Sequence, residues 1–226
     1  CEQHDISLIG GHTEITHDIY HPILCGTMSG EVSRESLVTP RGAQPGDAIL
    51  LTKGIPIETV ALLAREFPAR VRDGLGDQKW KEAAGYLKKP GISVMQDARI
   101  ALDAGRVTAM HDPTEGGLAA ALWELAEASQ RRLLFDPQSV FIPGLARELC
   151  TLFDLDPLAC LASGALLLTS PRADATHIQH ALGNAGIRCD LIGEVQPGRA
   201  GVFSVRGGKT IRLPRPERDA IGKLFQ

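Results

Sequence analysis

"VTAMHDPTEGGLAAALWELAEAS", residues 107–129, decides how the whole chain is read. A short apolar run from Val107 to Met110 breaks at His-Asp-Pro-Thr-Glu-Gly-Gly. An Ala/Leu-rich stretch follows, with Leu118, Leu122, Leu125 and Ala126 at helical spacing. This is strand, loop, helix. Glycine costs about 1 kcal/mol against alanine inside a helix. Two of them opening one, Gly116 and Gly117, mean that the backbone needs room, for a ligand or for a tight turn. Free amides and the positive end of the helix attract anions. Asp112 and Thr114 fit either capping or contact with a phosphate, a magnesium ion or a substrate hydroxyl. A cap needs one residue; the glycine pair favours the ligand.

Upstream of this stretch, "AILLT" (residues 48–52) reads as a buried strand. "KGIPIETVALLAREF" reads as a turn and an amphipathic helix with Val60, Leu63, Ala64 and Phe67 on one side. A short helix over residues 78–87 is stopped by Pro90-Gly91. The next, "SVMQDARIALDAG", opens with the capping-box pair Ser93 and Gln96 and ends at Gly105. Downstream, "GALLLTS" is a strand and "ADATHIQHALGNAG" a helix closed by Gly186. "CDLIGEV" is a strand, and "GVFSVRGGKTIRL" a hairpin turning at its glycines before a short tail helix. Towards the amino end, "DISLIGGHTEIT" reads as strand, glycine turn and strand. "HPILCGTMSGEVS" reads as another strand, and the Pro/Gly-rich "TPRGAQPGD" (residues 39–47) as a boundary. Helices and strands alternate while some strands are joined by tight hairpins. The class is therefore α/β (α+β), a sandwich with a mixed sheet.

The 226 residues are 43% hydrophobic and 23% charged, with a formal net charge of −3. That suits one large domain, or one domain with a piece of another. No basic run exceeds two residues, which argues against a nucleic-acid partner. No apolar stretch approaches the ~18 residues of a membrane span. Five scattered cysteines without metal spacing read as reduced thiols of a cytoplasmic protein. A chain opening at Cys1 reads as a fragment or a processed form.

Other constellations leave alternatives open. Gly10 and Gly11 form a turn that displays His12, Thr13 and Glu14, beside a ligand or in solvent. Lys53 and Gly54, between strand and helix, meet an anion or water. His17 and His21 are four apart, but their segment reads as extended and ends at Pro22, whereas zinc pairs at that spacing ride on a helix. The phosphate-loop pattern is absent, "GLGDQK" lacks the context of a dinucleotide fingerprint, and no catalytic triad follows from spacing. Glu194 reads as a strand-end carboxylate in solvent.

Five segments in order, "GGHTEIT", "GDAILLTKGIPIETVALLA", "HDPTEGGLAAALWELAEAS", "LACLASGALLLTSP" and "LIGEV", resemble the aminoimidazole ribonucleotide (AIR) synthetase superfamily. The resemblance covers residues 6 to about 205. It is nearest to the hydrogenase-maturation (HypE-like) branch and its AIR synthase-related companions. It implies that residues 1–40 are the final strands of an N-terminal ATP-binding and dimerisation domain. Residues 41–226 would be the AIR-synthetase-like (PurM-like) C-terminal α/β domain. It implies ATP and Mg²⁺ as cofactors, a homodimer, a maturation-protein partner, and a small phosphorylated or amide substrate. The implied chemistry is phosphorylation of an amide or carbonyl oxygen, or phosphoryl transfer to another nucleophile.

Carried onto this chain, the resemblance gives Asp112 and Thr114 the catalytic positions. Gly10, Gly11, His12, Thr13, Glu14, Lys53, Gly116 and Gly117 would contact the cofactor, with Asp112 and Glu14 the candidate magnesium ligands. The family's glycine-rich, Asp-bearing amino-terminal segment is not in this chain, which alone is expected to bind MgATP weakly. The chain ends "AIGKLFQ", without the terminal cysteine of the carbamoyl dehydratases, so that activity is not expected. The alternative is a non-catalytic binding or dimerisation module of the same fold. A third reading is a metal-storage or sensing protein built on His12, His17 and His21.

Overall fold

Six residues, Asp47–Thr52, form β1, buried along its whole length. Its run of Ala, Ile and Leu suits a strand covered on both faces. A computed structural model of the chain describes residue 1 and residues 5–225. It divides into two units, Cys1–Leu37 and Val38–Gln226.

The larger unit is built on one seven-stranded sheet. After β1 come α1 (Ile57–Glu66), α2 (Pro68–Leu75), α3 (Asp77–Ala84), a wide turn at Leu87–Gly91 and α4 (Met95–Ala104). Then follow β2 (Ala109–His111), α5 (Gly117–Ser129), β3 (Arg132–Phe135) and α6 (Gly144–Leu152). The chain closes with β4 (Leu167–Pro171), α7 (Arg172–Asn184), β5 (Cys189–Gln196), β6 (Gly201–Arg206), β7 (Lys209–Arg212) and a 3₁₀ helix at Ala220–Phe225. The strand order is β2-β4-β1-β5-β3-β6-β7. All neighbours are antiparallel except β3 and β6, so the sheet is mixed.

Alternation along β1 divides the core. Ile49 and Leu51 pack with Leu118, Leu122 and Leu125 of α5 on one face. Ala48 and Leu50 pack with Ala101 of α4 and with Ala175, Ile178 and Leu182 of α7 on the other. A third cluster joins α1, α2 and α6 through Val60, Leu63, Val71, Leu149 and Phe153. The sandwich of helices and mixed sheet read from the sequence is the architecture of this unit. The glycine hairpin is present too: β6 and β7 are joined through Gly207 and Gly208, both with positive φ, as a two-residue primed turn requires.

Several sequence expectations are corrected. Among the described residues before Pro40 there is no helix or strand, so "DISLIGGHTEIT" and "HPILCGTMSGEVS" are not strands here. Their apolar residues Leu8, Ile9, Ile15 and Leu24 are exposed. A strand needs a partner ladder, and an isolated hairpin is marginal in water. The capping box is not formed either. α4 begins after Val94 without a side-chain cap, and Ser93 Oγ accepts from the Met95 amide only at 3.5 Å. The expected short tail helix is present, as a 3₁₀ helix. α2, α6 and β3 were not anticipated, although Leu145, Ala146, Leu149 and Cys150 carry a helical apolar pattern.

Candidate functional site

β4 carries the geometry of the site. Its first residue, Leu167, lies opposite Leu51 near the end of β1 and opposite His111 at the end of β2. The loops after β1 and β2 and the loop before β4 therefore leave the sheet at one end. They hold Lys53-Gly54, residues 112–116, and Ser163-Gly164.

Lys53 is fully engaged there. It sits in the left-handed region at φ 57°. Its ammonium donates to the carbonyls of Ser93 at 2.7 Å and Gly164 at 3.0 Å, and lies 2.9 Å from Asp97 Oδ2. The other Asp97 oxygen accepts from Thr52 Oγ1 at 2.6 Å, and Thr52 Oγ1 accepts from the Leu166 amide at 3.0 Å. The Asp97 side chain is 1% exposed and that of Lys53 10%. An ammonium has three protons, and all three are used. The anion contact expected of Lys53 is replaced in this structure by a buried ion pair tying β1, α4 and the loop before β4. Gly54 is needed for packing, since a Cβ there would lie 2.5 Å from the Phe141 carbonyl oxygen.

The start of α5 is equally occupied. Gly116 and Gly117 both have positive φ, 75° and 61°. The Gly117 amide donates to the Thr114 carbonyl at 3.0 Å. The Gly116 amide donates to Asp219 Oδ2 at 2.7 Å, so the tail supplies an anion to this helix end. A Cβ on Gly117 would stand 2.4 Å from the Cys160 carbonyl oxygen. The glycine pair thus answers a backbone need: a left-handed entry and a close approach to the loop at Cys160.

Around this end the side chains of Asp112, Thr114 and Glu115 are exposed. Asp112 Oδ1 lies 3.8 Å from His111 Nδ1, and His111 Nε2 is 2.6 Å from Glu124 Oε2 on α5. A groove of about 360 Å³ runs beside them, lined by Glu115, Gly116, Ala120, Glu124, Arg215 and Asp219 among others. Asp219, Asp97, His111 and Glu124 escaped the sequence reading. Their partners lie far away in the chain or, for His111 and Glu124, on different elements.

In the smaller unit, His12 Nε2 lies 3.9 Å from Glu14 Oε2, both side chains exposed. Gly10 and Gly11 have open space where a Cβ would stand, and Thr13 is exposed beside them. A hollow of about 640 Å³ is lined by residues of this unit that include His12, Thr13, Glu14, His21 and Cys25. Among the described residues no group of three or more His, Cys, Asp or Glu could hold a metal ion, so the storage reading of His12, His17 and His21 has no cluster. Glu14 and Asp112, the carboxylates expected to hold magnesium, are each exposed. No helix of the described residues is long and apolar enough to cross a membrane.

All five cysteines are free; Cys1 and Cys25 are exposed, while Cys150 and Cys160 are buried. Burial, with Asp190 and Asp97 nearby, pushes the Cys189 thiol up to about 12. Cys160 shares a thiol hydrogen bond with Cys150, which raises Cys160 and lowers Cys150.

The sequence of the family described as AIR synthase related protein, C-terminal domain, matches residues 44–206. The chain belongs to this family. It is 27% identical to a thiamine-monophosphate kinase of Pyrococcus horikoshii, over 95% of this chain and 61% of that protein. It is 30% identical to the carbamoyl dehydratase HypE of Cupriavidus necator, over 74% of this chain and 45% of that protein. In fold it is similar to the hydrogenase maturation protein HypE solved in complex with ATP, with a TM-score of 0.63 and 23% identity. That match spans 83% of this chain and 56% of the other. The AIR synthase-related chain thus spans about half to three fifths of the relatives it matches.

Proposed function

We propose that this AIR synthase-related chain forms the substrate-facing part of an ATP-dependent enzyme. That enzyme would phosphorylate an amide or carbonyl oxygen, or transfer phosphate to another nucleophile. The observation that carries the reading is the convergence of three loops on one sheet end, where Asp112 and Thr114 stay exposed while Lys53 is consumed in the scaffold. The kinase and dehydratase relatives support the same chemistry. In this reading residues 41–226 are the C-terminal domain, and residues 1–40 the closing segment of an ATP-binding domain. Asp112 and Thr114 orient substrate or a magnesium-bound phosphate. Gly116 reaches a phosphate only when the Asp219 carboxylate gives way. Gly10, Gly11, His12, Thr13 and Glu14 approach the nucleotide. The protein works in the cytoplasm as a homodimer, in hydrogenase maturation with a second maturation protein.

The test is MgATP binding and turnover by the longest polypeptide its gene encodes, with Asp112→Ala beside it. Misplaced reactants cost about 10²-fold in rate, and a loss of that size is expected. Unchanged turnover in the variant overturns the reading.

A second reading, a non-catalytic binding or dimerisation module, is favoured by a specific observation: both glycine amides of α5 already donate within the chain. It requires that the wild-type protein show no ATP turnover at all.

A further inference from the structure

A further cavity, of about 660 Å³, lies between the end of α3 with its following turn and the connection from α7 to β5. Glu82, Tyr86, Lys89, Pro90, Gly186 and Ile187 line it, with Lys53 at its wall. Its size falls in the range of small-molecule sites, about 300–1,000 Å³.

Tyr86 distinguishes it from a surface dimple. The side chain is only 8% exposed and packs in the third core cluster. Its hydroxyl makes no hydrogen bond among the described residues and is open to solvent where Tyr86 lines the cavity. Burial, and secondarily the Glu82 carboxylate, raise its pKa, so it remains a donor at neutral pH. Glu82 precedes Tyr86 by four residues, and Lys89 follows in the wide turn. Both are exposed and neither forms an ion pair among the described residues. Pro90, Ile187 and the methylene stem of Lys53 supply apolar wall to the same cavity.

From this arrangement we infer a binding site for a small zwitterion whose ammonium and carboxylate are separated by a short apolar chain. The carboxylate meets the Lys89 ammonium and the Tyr86 hydroxyl, the ammonium meets Glu82, and the chain lies against Pro90 and Ile187. A ligand with one charge leaves either Glu82 or Lys89 unpaired, which gives the site its selectivity. Asp112 and Thr114 take no part.

The probe is 6-aminohexanoate, with hexanoate and hexylamine as single-charge controls, titrated by calorimetry or ligand-observed NMR. Saturable binding is expected for 6-aminohexanoate, with each control at least about tenfold weaker, the effect of losing one charge-assisted hydrogen bond. Tyr86→Phe is expected to weaken it about fivefold, one neutral hydrogen bond, and Lys89→Gln about tenfold. Asp112→Ala should leave it unchanged, which separates this site from the proposed phosphoryl-transfer site. Thermal unfolding of each variant establishes that it is folded. No saturable binding, equal binding of all three probes, or undiminished binding by both Tyr86→Phe and Lys89→Gln overturns the proposal.

Discussion

Asp219 Oδ2 accepts the Gly116 amide proton at 2.7 Å, across a sequence separation of 103 residues. The other carboxylate oxygen accepts from the Ile221 amide at 2.9 Å, so one side chain caps α5 and opens the 3₁₀ helix of the tail. An anion at a helix N-terminus is where the dipole and the free amides favour it. The helix end that the sequence offers to a phosphate is occupied by the chain's own carboxylate.

Asp219→Ala removes that cap. Loss of an N-cap costs about 1 kcal/mol, within a range of roughly 0.5–2. Urea unfolding should show a lowered midpoint by that amount, with Asp219→Asn closer to wild type because an amide oxygen still accepts.

Lys53→Met should be more severe. It strands the Asp97 carboxylate, 1% exposed, without its cation. Breaking one side of a buried pair costs about 3–5 kcal/mol. Denaturant unfolding checks this, and the double variant Lys53→Met with Asp97→Leu should recover part of the loss, since no buried charge remains.

The glycines should separate sharply. Gly117→Ala forces a Cβ into the Cys160 carbonyl oxygen at a positive φ, with an expected loss of about 2 kcal/mol or more. Gly10→Ala meets open space and should stay within about 0.5 kcal/mol of wild type. Thermal melts of the two variants measure the contrast.

The cysteines give a pH dependence. The folded-state pKa of Cys189 is raised to about 12. Above pH ~9 the unfolded chain releases this proton and the folded chain keeps it. The stabilisation is therefore fully present below about pH 9 and is lost as pH rises towards 12. Wild type should lose more stability than Cys189→Ala between pH 8 and pH 10.5. At pH 8 a thiol of pKa about 12 is ~10⁻⁴ ionised, so iodoacetamide should label exposed Cys25 well before Cys189.

Much of the larger unit was legible because its signals are local. The run Asp47–Thr52, the apolar face of α5 and the paired glycines of the β6–β7 turn each announce themselves within a few residues. The amino-terminal strands failed for the complementary reason. Alternating apolar residues state a readiness to pair, and pairing also needs a ladder that no described neighbour supplies. The candidate site divides the same way. Asp112 and Thr114 stand out beside their glycines, while Asp97 and Asp219 look like ordinary helix and loop carboxylates until the fold sets them against Lys53 and Gly116.

By itself, the order of residues determined the α/β class, the family, and the left-handed entry into α5, since each follows from short-range backbone and hydrophobic preference. Only the tertiary structure decided what that entry faces. Whether an amide or an ammonium is free for a ligand depends on which carboxylates and carbonyls the folded chain brings within hydrogen-bonding distance, and those lie up to a hundred residues away.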